Sequence, residues 1–434
     1  MCFVIAVYFK RSKIKNAHYL RVKGPVVIAM NHPNGFMDPI AFTAMVYPPR
    51  VRYLARGDAF KKGVITMILE SLGIIPIFRI QDGGKEGLKK NDETYDRVNT
   101  LLKRNKKIII FAEGLCIQER RLRPLKKGVP RMVFGAMDAN DLKDLMVVPI
   151  GVNYTKPTHF RTTLFYNIGA PIHINYYMAS YKEAPAKTMN QFLADLTPKM
   201  KELIININQP QSEKVIEHLE EIYRYDFFKT SNLNEKDLEH DFIFSTKITE
   251  TINKAEENYP EKIRELEQKT TQYMSELNSY NLRNWLLIPE KQKDINYFYF
   301  ILRIVFIIIT LPIYIRGLLG NYIPYILTKW IVTNKVKLVE FKASFAMGIG
   351  AFTVLLFYIL QFFIAKSLAP NVWWALLVVL VSVASGAFCL FISPFRKKTW
   401  GMYRLLKLKS SQPKAFESLS LQRANIIKAF ETLL

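Results

Sequence analysis

Val26-Val27-Ile28-Ala29-Met30-Asn31-His32-Pro33-Asn34-Gly35-Phe36-Met37-Asp38-Pro39 is an apolar run that stops at a histidine, bends, and comes back to an aspartate. Its first five residues read as a strand buried on both faces. Pro33, Asn34 and Gly35 are turn formers, so the chain changes direction just after His32. On a continuous helix His32 and Asp38 would sit about 240° apart, at about 100° per residue. A turn after a strand instead lets Asp38 fold back onto His32. A carboxylate on one imidazole nitrogen orients the ring and leaves the other nitrogen as a base. Taken alone, the pair also fits a partly buried histidine beside a turn.

Working outward, strand-like runs alternate with helical spacing. Residues 12–30 read as two short strands around Gly24-Pro25. Strands are expected over 51–54, 107–111, 147–152 and 164–168, and helices over 40–46, 60–72 and 94–103. This alternation implies an α/β fold, a mostly parallel sheet flanked by helices. Ligands in such sheets sit at the carboxyl ends of strands, and His32, Arg79 and Glu113 each follow one. Arg79 ends an apolar run, where its fork suits a phosphate or a pairing with Asp82. Glu113-Gly114 precedes a basic loop ending in Lys126-Lys127-Gly128. Glu113 either positions a substrate and its neighbouring cations or counters Arg120, Arg121 and Arg123.

These blocks, in this order, resemble the motifs of the glycerolipid acyltransferases. The usual first motif is His, four residues, Asp; here five residues intervene. Asn-His-Pro-Asn-x-Phe-x-Asp-Pro and Arg-x-Gln-Asp at residue 79 look like the glycerol-3-phosphate branch of that family. Phe111-Ala112-Glu113-Gly114 resembles the third motif, with Ala112 where proline is usual. The 147–152 run resembles the fourth, and the likeness covers roughly the first 175 residues. It implies His32 as general base and Asp38 as its orienting partner. Arg79 with Lys127 and Gly128 would hold the acceptor's phosphate, Glu113 and Gly114 would contribute to substrate binding, and Pro149 would shape the acyl pocket. The implied donor is acyl-CoA or acyl carrier protein. The implied acceptor is glycerol-3-phosphate, with lysophosphatidic acid as the alternative. No cofactor beyond the donor is implied. With no Gly-x-Ser-x-Gly elbow in the chain, direct attack on the thioester is expected rather than an acyl-serine.

Three scattered cysteines among 434 residues fit neither a disulfide framework nor a zinc site, and no metal is expected. The formal charge of +24 calls for a polyanionic partner: nucleic acid, an anionic bilayer or a phosphorylated substrate. Residues 101–131 alone carry ten Lys or Arg against two acids. Nucleic-acid binding is set aside, because no nucleic-acid motif is present and the chain carries long apolar segments. A catalytically inactive membrane scaffold is the remaining rival, and it would need none of His32, Asp38, Arg79 and Glu113.

The expected organisation is a catalytic domain over 1–205, a helical linker or lid over 206–294 and a membrane domain over 295–434. Residues 344–365 and 371–395 are 22 and 25 residues without a charge. Each is long enough to span a bilayer core as a helix, and residues 366–370 suit a hairpin turn between them. Lysines at 335, 337 and 342 precede the pair, and Arg396, Lys397 and Lys398 follow it. That places both flanks, and the catalytic domain with them, on the cytoplasmic face. Residues 297–315 and 317–332 read as a second hairpin or a re-entrant dip. The basic tail is expected near an anionic membrane surface.

Overall fold

The computed structural model describes residues 2–46, 51–57, 60, 63, 66–67, 70, 73–78, 80–140, 142, 144–369 and 371–434. Two compact units emerge. One comprises residues 1–206 with 338–344; the other comprises 207–337 with 345–434.

The first unit is built on one sheet. Its strands are β1 (Arg11–Lys15), β2 (Val26–Met30), β3 (Val51–Arg56), β4 (Ile74–Ile77), β5 (Lys107–Phe111), β6 (Met146–Tyr154), β7 (Thr163–Ile168) and β8 (Ile172–His173). The order is β1-β7-β6-β2-β5-β3-β4, with β8 beside β6. Pairing is parallel except where β6 meets β7 and β8. The mostly parallel α/β sheet read from the sequence is therefore present. β2 lies between β6 and β5, and every residue from Val26 to Met30 is fully buried. Burying a Val or Ile side chain contributes about 1.5–3 kcal/mol, so this unbroken run commits β2 to the centre. Helices Ile80–Lys103, Gly128–Asn140 and Pro185–Lys201 flank the sheet, and Leu102, Val133 and Phe192 join its core.

Several elements differ in extent from the sequence reading. The first strand stops at Lys15 and a short 3-10 turn, Ala17–Arg21, follows, because Asn16 takes a left-handed conformation that breaks the strand. The 94–103 helix begins much earlier, at Ile80. Gly83, Gly84 and Gly87 argue against helix locally, but Phe78 N–H and C=O both bond to the Asn91 amide and Thr94 Oγ1 donates to Pro76 O. Those bonds fasten the helix to the end of β4. The helix expected over 60–72 lies mostly outside the described residues.

The second unit is helical. Leu238–Asn258 and Pro260–Ser279 are two helices divided at Pro260, which takes the first helical position of the second, where its missing N–H costs nothing. Their apolar faces share one core with Leu405, Leu419, Ile426 and Phe430 from the tail. Arg423, 5% exposed, threads into this core. It ion-pairs with Asp226 and donates to Asn284 Oδ1 at 3.2 Å and Ile222 O at 3.1 Å.

Among the described residues, three helices are long and apolar enough to cross a membrane: Tyr297–Lys335, Val339–Leu368 and Val372–Ser411. The last two match the expected pair. The first corrects the expectation of a hairpin or dip, because residues 297–335 form one 39-residue helix. Pro312 and Pro324 lie within it, and Gly317 forms no turn. Gly317 serves instead for close packing: a Cβ there would fall 2.4 Å from Ser385 O. Polar side chains cross-link these three helices. Arg316 donates to Ser382 Oγ (2.8 Å), Ser382 to Gln361 Oε1 (2.6 Å) and Gln361 to Gly320 O (2.9 Å). Tyr358 donates to Asn321 Oδ1 (2.6 Å), and Asn321 to Ser382 O (3.0 Å). In hydrocarbon, such bonds satisfy groups that have no water to turn to.

Candidate functional site

The site is assembled where β2 and β5 end side by side, with Met30 level with Phe111. Past Met30 the chain turns, and the helix Met37–Met45 begins with Asp38 in its first turn. His32 Nδ1 lies 2.8 Å from Asp38 Oδ2, with the imidazole 15% exposed and the carboxylate fully buried. Asp38 is itself held: Asn34 N–H donates to Oδ2 at 2.9 Å, and Tyr154 O–H to Oδ1 at 2.7 Å. Tyr166 O–H fixes the Asp38 carbonyl at 2.9 Å. A buried carboxylate is stable only with such partners. Burial, and then the Asp38 charge, pushes both tyrosine hydroxyls well up, so each remains a donor. The His32 ring stacks on Phe111, with centroids 3.7 Å apart and planes 14° apart. Asn31 locks the strand end by exchanging two hydrogen bonds with the Val152 backbone.

Glu113, two residues past β5, is also buried. Oε1 accepts the His32 backbone N–H at 3.3 Å, and Oε2 accepts the Arg123 backbone N–H at 3.1 Å. The carboxylate thus clasps two loops by their backbones. The Arg121 and Arg123 guanidinium groups turn to Glu119 instead. Burial raises the Glu113 pKa; the two backbone donors and the charges on His32 and Arg123 oppose the rise. Gly114 has φ +66°, and a Cβ there would stand 3.2 Å from Lys126 Cγ. Glycine is needed for both conformation and closeness, and it brings the basic loop against the end of β5. Lys126 N–H donates to Ala112 O at 2.8 Å. Lys126 and Lys127 are exposed, and Gly128 opens the helix Gly128–Asn140.

Pro149 lies inside β6 opposite Ala29, and its carbonyl accepts the Gly169 N–H at 2.9 Å. Arg79 lies outside the described residues. Sequence reasoning missed Asn34 as a ligand of the Asp38 carboxylate, the two tyrosines, the stacking Phe111, and Cys116. Cys116 Sγ accepts the Gly35 N–H at 2.9 Å. Burial, and then Asp38, raises its pKa, so it remains a thiol and is a poor nucleophile. Among the described residues no group of His, Cys, Asp and Glu is placed to hold a metal ion.

The arrangement offers one imidazole with a fixed tautomer at the carboxyl end of a parallel sheet, beside a cationic loop. That combination suits removal of a proton from a hydroxyl near an anion. Residues 11–153, about a third of the chain, match the family model Acyltransferase. Two curated proteins of Saccharomyces cerevisiae are similar to the chain: Glycerol-3-phosphate O-acyltransferase 2, 29% identical over 135 residues, and Glycerol-3-phosphate O-acyltransferase 1, 29% identical over 136. Each match covers 31% of this chain and 18% of the relative, so the chain matches less than a fifth of either protein's length. The crystal structure of the 1-acyl-sn-glycerophosphate (LPA) acyltransferase PlsC from Thermotoga maritima aligns at 11% identity with a TM-score of 0.33. It covers 46% of this chain and 73% of that one. Together with the motifs, the family match and the two yeast relatives support a glycerolipid acyltransferase family for this domain, and acyl transfer as its chemistry.

Proposed function

We propose that this protein is a membrane-bound enzyme that transfers a fatty acyl group from acyl-CoA or acyl carrier protein to a hydroxyl of glycerol-3-phosphate, as a step of phospholipid synthesis. Its catalytic domain would lie on the cytoplasmic face. The observation that carries the reading is the His32–Asp38 pair: with Nδ1 engaged at 2.8 Å, Nε2 is the nitrogen left for a substrate proton. His32 Nε2 takes the proton of the acceptor hydroxyl as its oxygen bonds to the thioester carbonyl carbon. The tetrahedral intermediate collapses, the C–S bond breaks, and the imidazolium returns the proton to the departing thiolate. The products are an ester and a free thiol, so atoms and charge balance. Asp38 stabilises the imidazolium through the intermediate.

The phosphate of the acceptor falls to cations, with Arg79 and Lys127 as the assigned contacts and Gly128, which opens a helix, next to Lys127. A small acceptor without an acyl chain has little besides its charge to be gripped by. Glu113 and Gly114 support the site by holding the loops that carry it. Pro149 is assigned to the acyl pocket. The resemblance of Asn31 to Pro39 and of Arg79 to Asp82 to the glycerol-3-phosphate branch selects the acceptor.

Kinetics of the full chain in detergent with the two acceptors side by side test the reading. Higher kcat/KM for glycerol-3-phosphate is expected; a much higher value for lysophosphatidic acid overturns the acceptor. Arg79→Ala should raise the acceptor KM strongly and spare donor binding, and Arg79→Lys should recover activity only partly. No thiol release with either acceptor would leave the scaffold reading standing.

A further inference from the structure

Away from the acyl-transfer site, the second unit contains a cleft of about 310 Å³ where the turn after Pro260–Ser279 meets the last third of Val372–Ser411. Four cations line it: Arg283, Lys397, Lys398 and Arg404. Its lining holds no carboxylate, and among the described residues none of the four forms an ion pair. Four like charges around one hollow repel each other, and an anion placed between them relieves that repulsion.

The cleft is built rather than incidental. Asn281 takes a left-handed conformation (φ 52°), and its carbonyl accepts Arg404 Nη1 at 3.2 Å. Lys398 Nζ stands 5.9 Å from the Trp285 ring centroid. Gly401 forms part of the floor, where a Cβ would press to 3.3 Å from Leu286 Cδ1. Trp285 and Trp400 form part of the wall.

Depth identifies the source of the anion. The uncharged part of Val372–Ser411 ends at Phe395. Lys397 and Arg404 follow it by two and nine residues, which is roughly 3 to 14 Å along the axis at about 1.5 Å per residue. The headgroup layer occupies about the first 5–8 Å beyond a hydrocarbon core of about 30 Å, so Lys397 and Lys398 fall within it and Arg404 on its watery side. Tryptophan is enriched at that level. A volume near the lower end for small-ligand sites admits a phosphate with a glycerol stub.

We infer that this cleft binds the phosphate group of an anionic membrane lipid, at a site separate from the acceptor's and independent of the acyl-transfer reading. The test uses the full chain in detergent and counts bound lipid by native mass spectrometry during titration with phosphatidic acid, with phosphatidylcholine as the zwitterionic reference. Preference for phosphatidic acid is expected. Removing one basic residue near an anionic surface costs about fivefold, so Arg283→Gln with Arg404→Gln should weaken binding about 25-fold. Because Arg404 also bonds the Asn281 carbonyl, a second pair, Lys397→Gln with Lys398→Gln, is measured beside it; the same loss is expected there without any change in thermal unfolding. Lys414→Gln with Lys428→Gln removes equal charge from a helix outside the cleft and should change binding less than twofold. A parallel titration with inorganic phosphate separates the sources: displacement of the lipid by it keeps the phosphate site and assigns a soluble occupant. Equal loss in the cleft and control pairs, or no loss in the lysine pair, overturns the inference.

Discussion

Glu113→Gln changes one atom and tests how the site is held together. The carboxylate accepts one backbone N–H on each oxygen, from His32 at 3.3 Å and from Arg123 at 3.1 Å. A glutamine has one accepting oxygen and one NH₂, so in either orientation one of those N–H groups faces a donor. Leaving a buried donor unpaired costs about 1–3 kcal/mol, and relief of the buried charge offsets part of it. A net loss of about 1–2 kcal/mol corresponds to roughly 5- to 30-fold in the ratio of assembled to disassembled site. Turnover, followed by thiol release from an acyl thioester, should fall in kcat by up to that factor with the acceptor KM little changed. A carboxylate facing the anionic acceptor would behave oppositely, because its removal would lower KM. The pH dependence has a definite sign. The folded pKa of Glu113 is raised, burial being the largest cause, so ionisation is disfavoured in the folded state. The stability contribution is therefore full below the ordinary carboxylate pKa of about 4.3 and is lost as pH rises through the folded value. Thermal unfolding should show the wild type gaining on the glutamine variant as pH falls into that range. Wild-type kcat combined with an altered acceptor KM would refute the clasp.

Other substitutions probe separate links. His32→Ala should reduce transfer about 10²- to 10⁴-fold while thermal unfolding is preserved; turnover near wild type would remove the general base from the mechanism. Asp38→Asn should cut kcat by at least tenfold, because an amide cannot stabilise the imidazolium; full activity would separate the pair's geometry from its chemistry. Gly317→Ala places a methyl 2.4 Å from Ser385 O, so the helices Tyr297–Lys335 and Val372–Ser411 must part, and the melting temperature in detergent should drop; an unchanged melt would mean the helices are not packed at that position. Thiol labelling of cysteines introduced at Lys366 and at the C-terminal tail of the full chain in sealed vesicles should find them on opposite faces. Labelling on one face would contradict a span by Val372–Ser411.

Much of the catalytic half was legible because its signals are local. An unbroken apolar run announces a central parallel strand, and turn residues between His32 and Asp38 announce that the pair can meet. What supports the pair was not legible. Tyr154 and Tyr166 reach Asp38 from β6 and β7, over a hundred residues away, and nothing in their own sequence surroundings marks them. Glu113 was readable as a carboxylate at a strand end beside a basic loop; that it holds backbone rather than side chains depends on the spacing of two loops in space. The hairpin expected within 297–332 failed for a different reason. Gly317 and the two prolines punctuate soluble helices, whereas in an apolar span small residues serve helix packing and proline is tolerated. Arg423 sits in the last helix and pairs with Asp226, a distance in sequence across which no periodicity argument reaches.

The level register of β2 with β5 also constrains how this domain can diverge. From Met30 to His32 and from Phe111 to Glu113 the chain advances the same two residues, so His32 and Glu113 emerge at one height. One inserted residue on either short arm would shift its side chain by about 3.3 Å and turn it to the opposite face. Insertions between residues 118 and 122 fall beyond the bonds between Cys116 and Gly35 and between Ile117 and His32, and leave both arms intact. Length variation should therefore accumulate in that loop and be purged from the arms. Libraries that lengthen the loop would keep base chemistry while resetting which acceptor is admitted, and single insertions after residue 31 or 112 would be inactive.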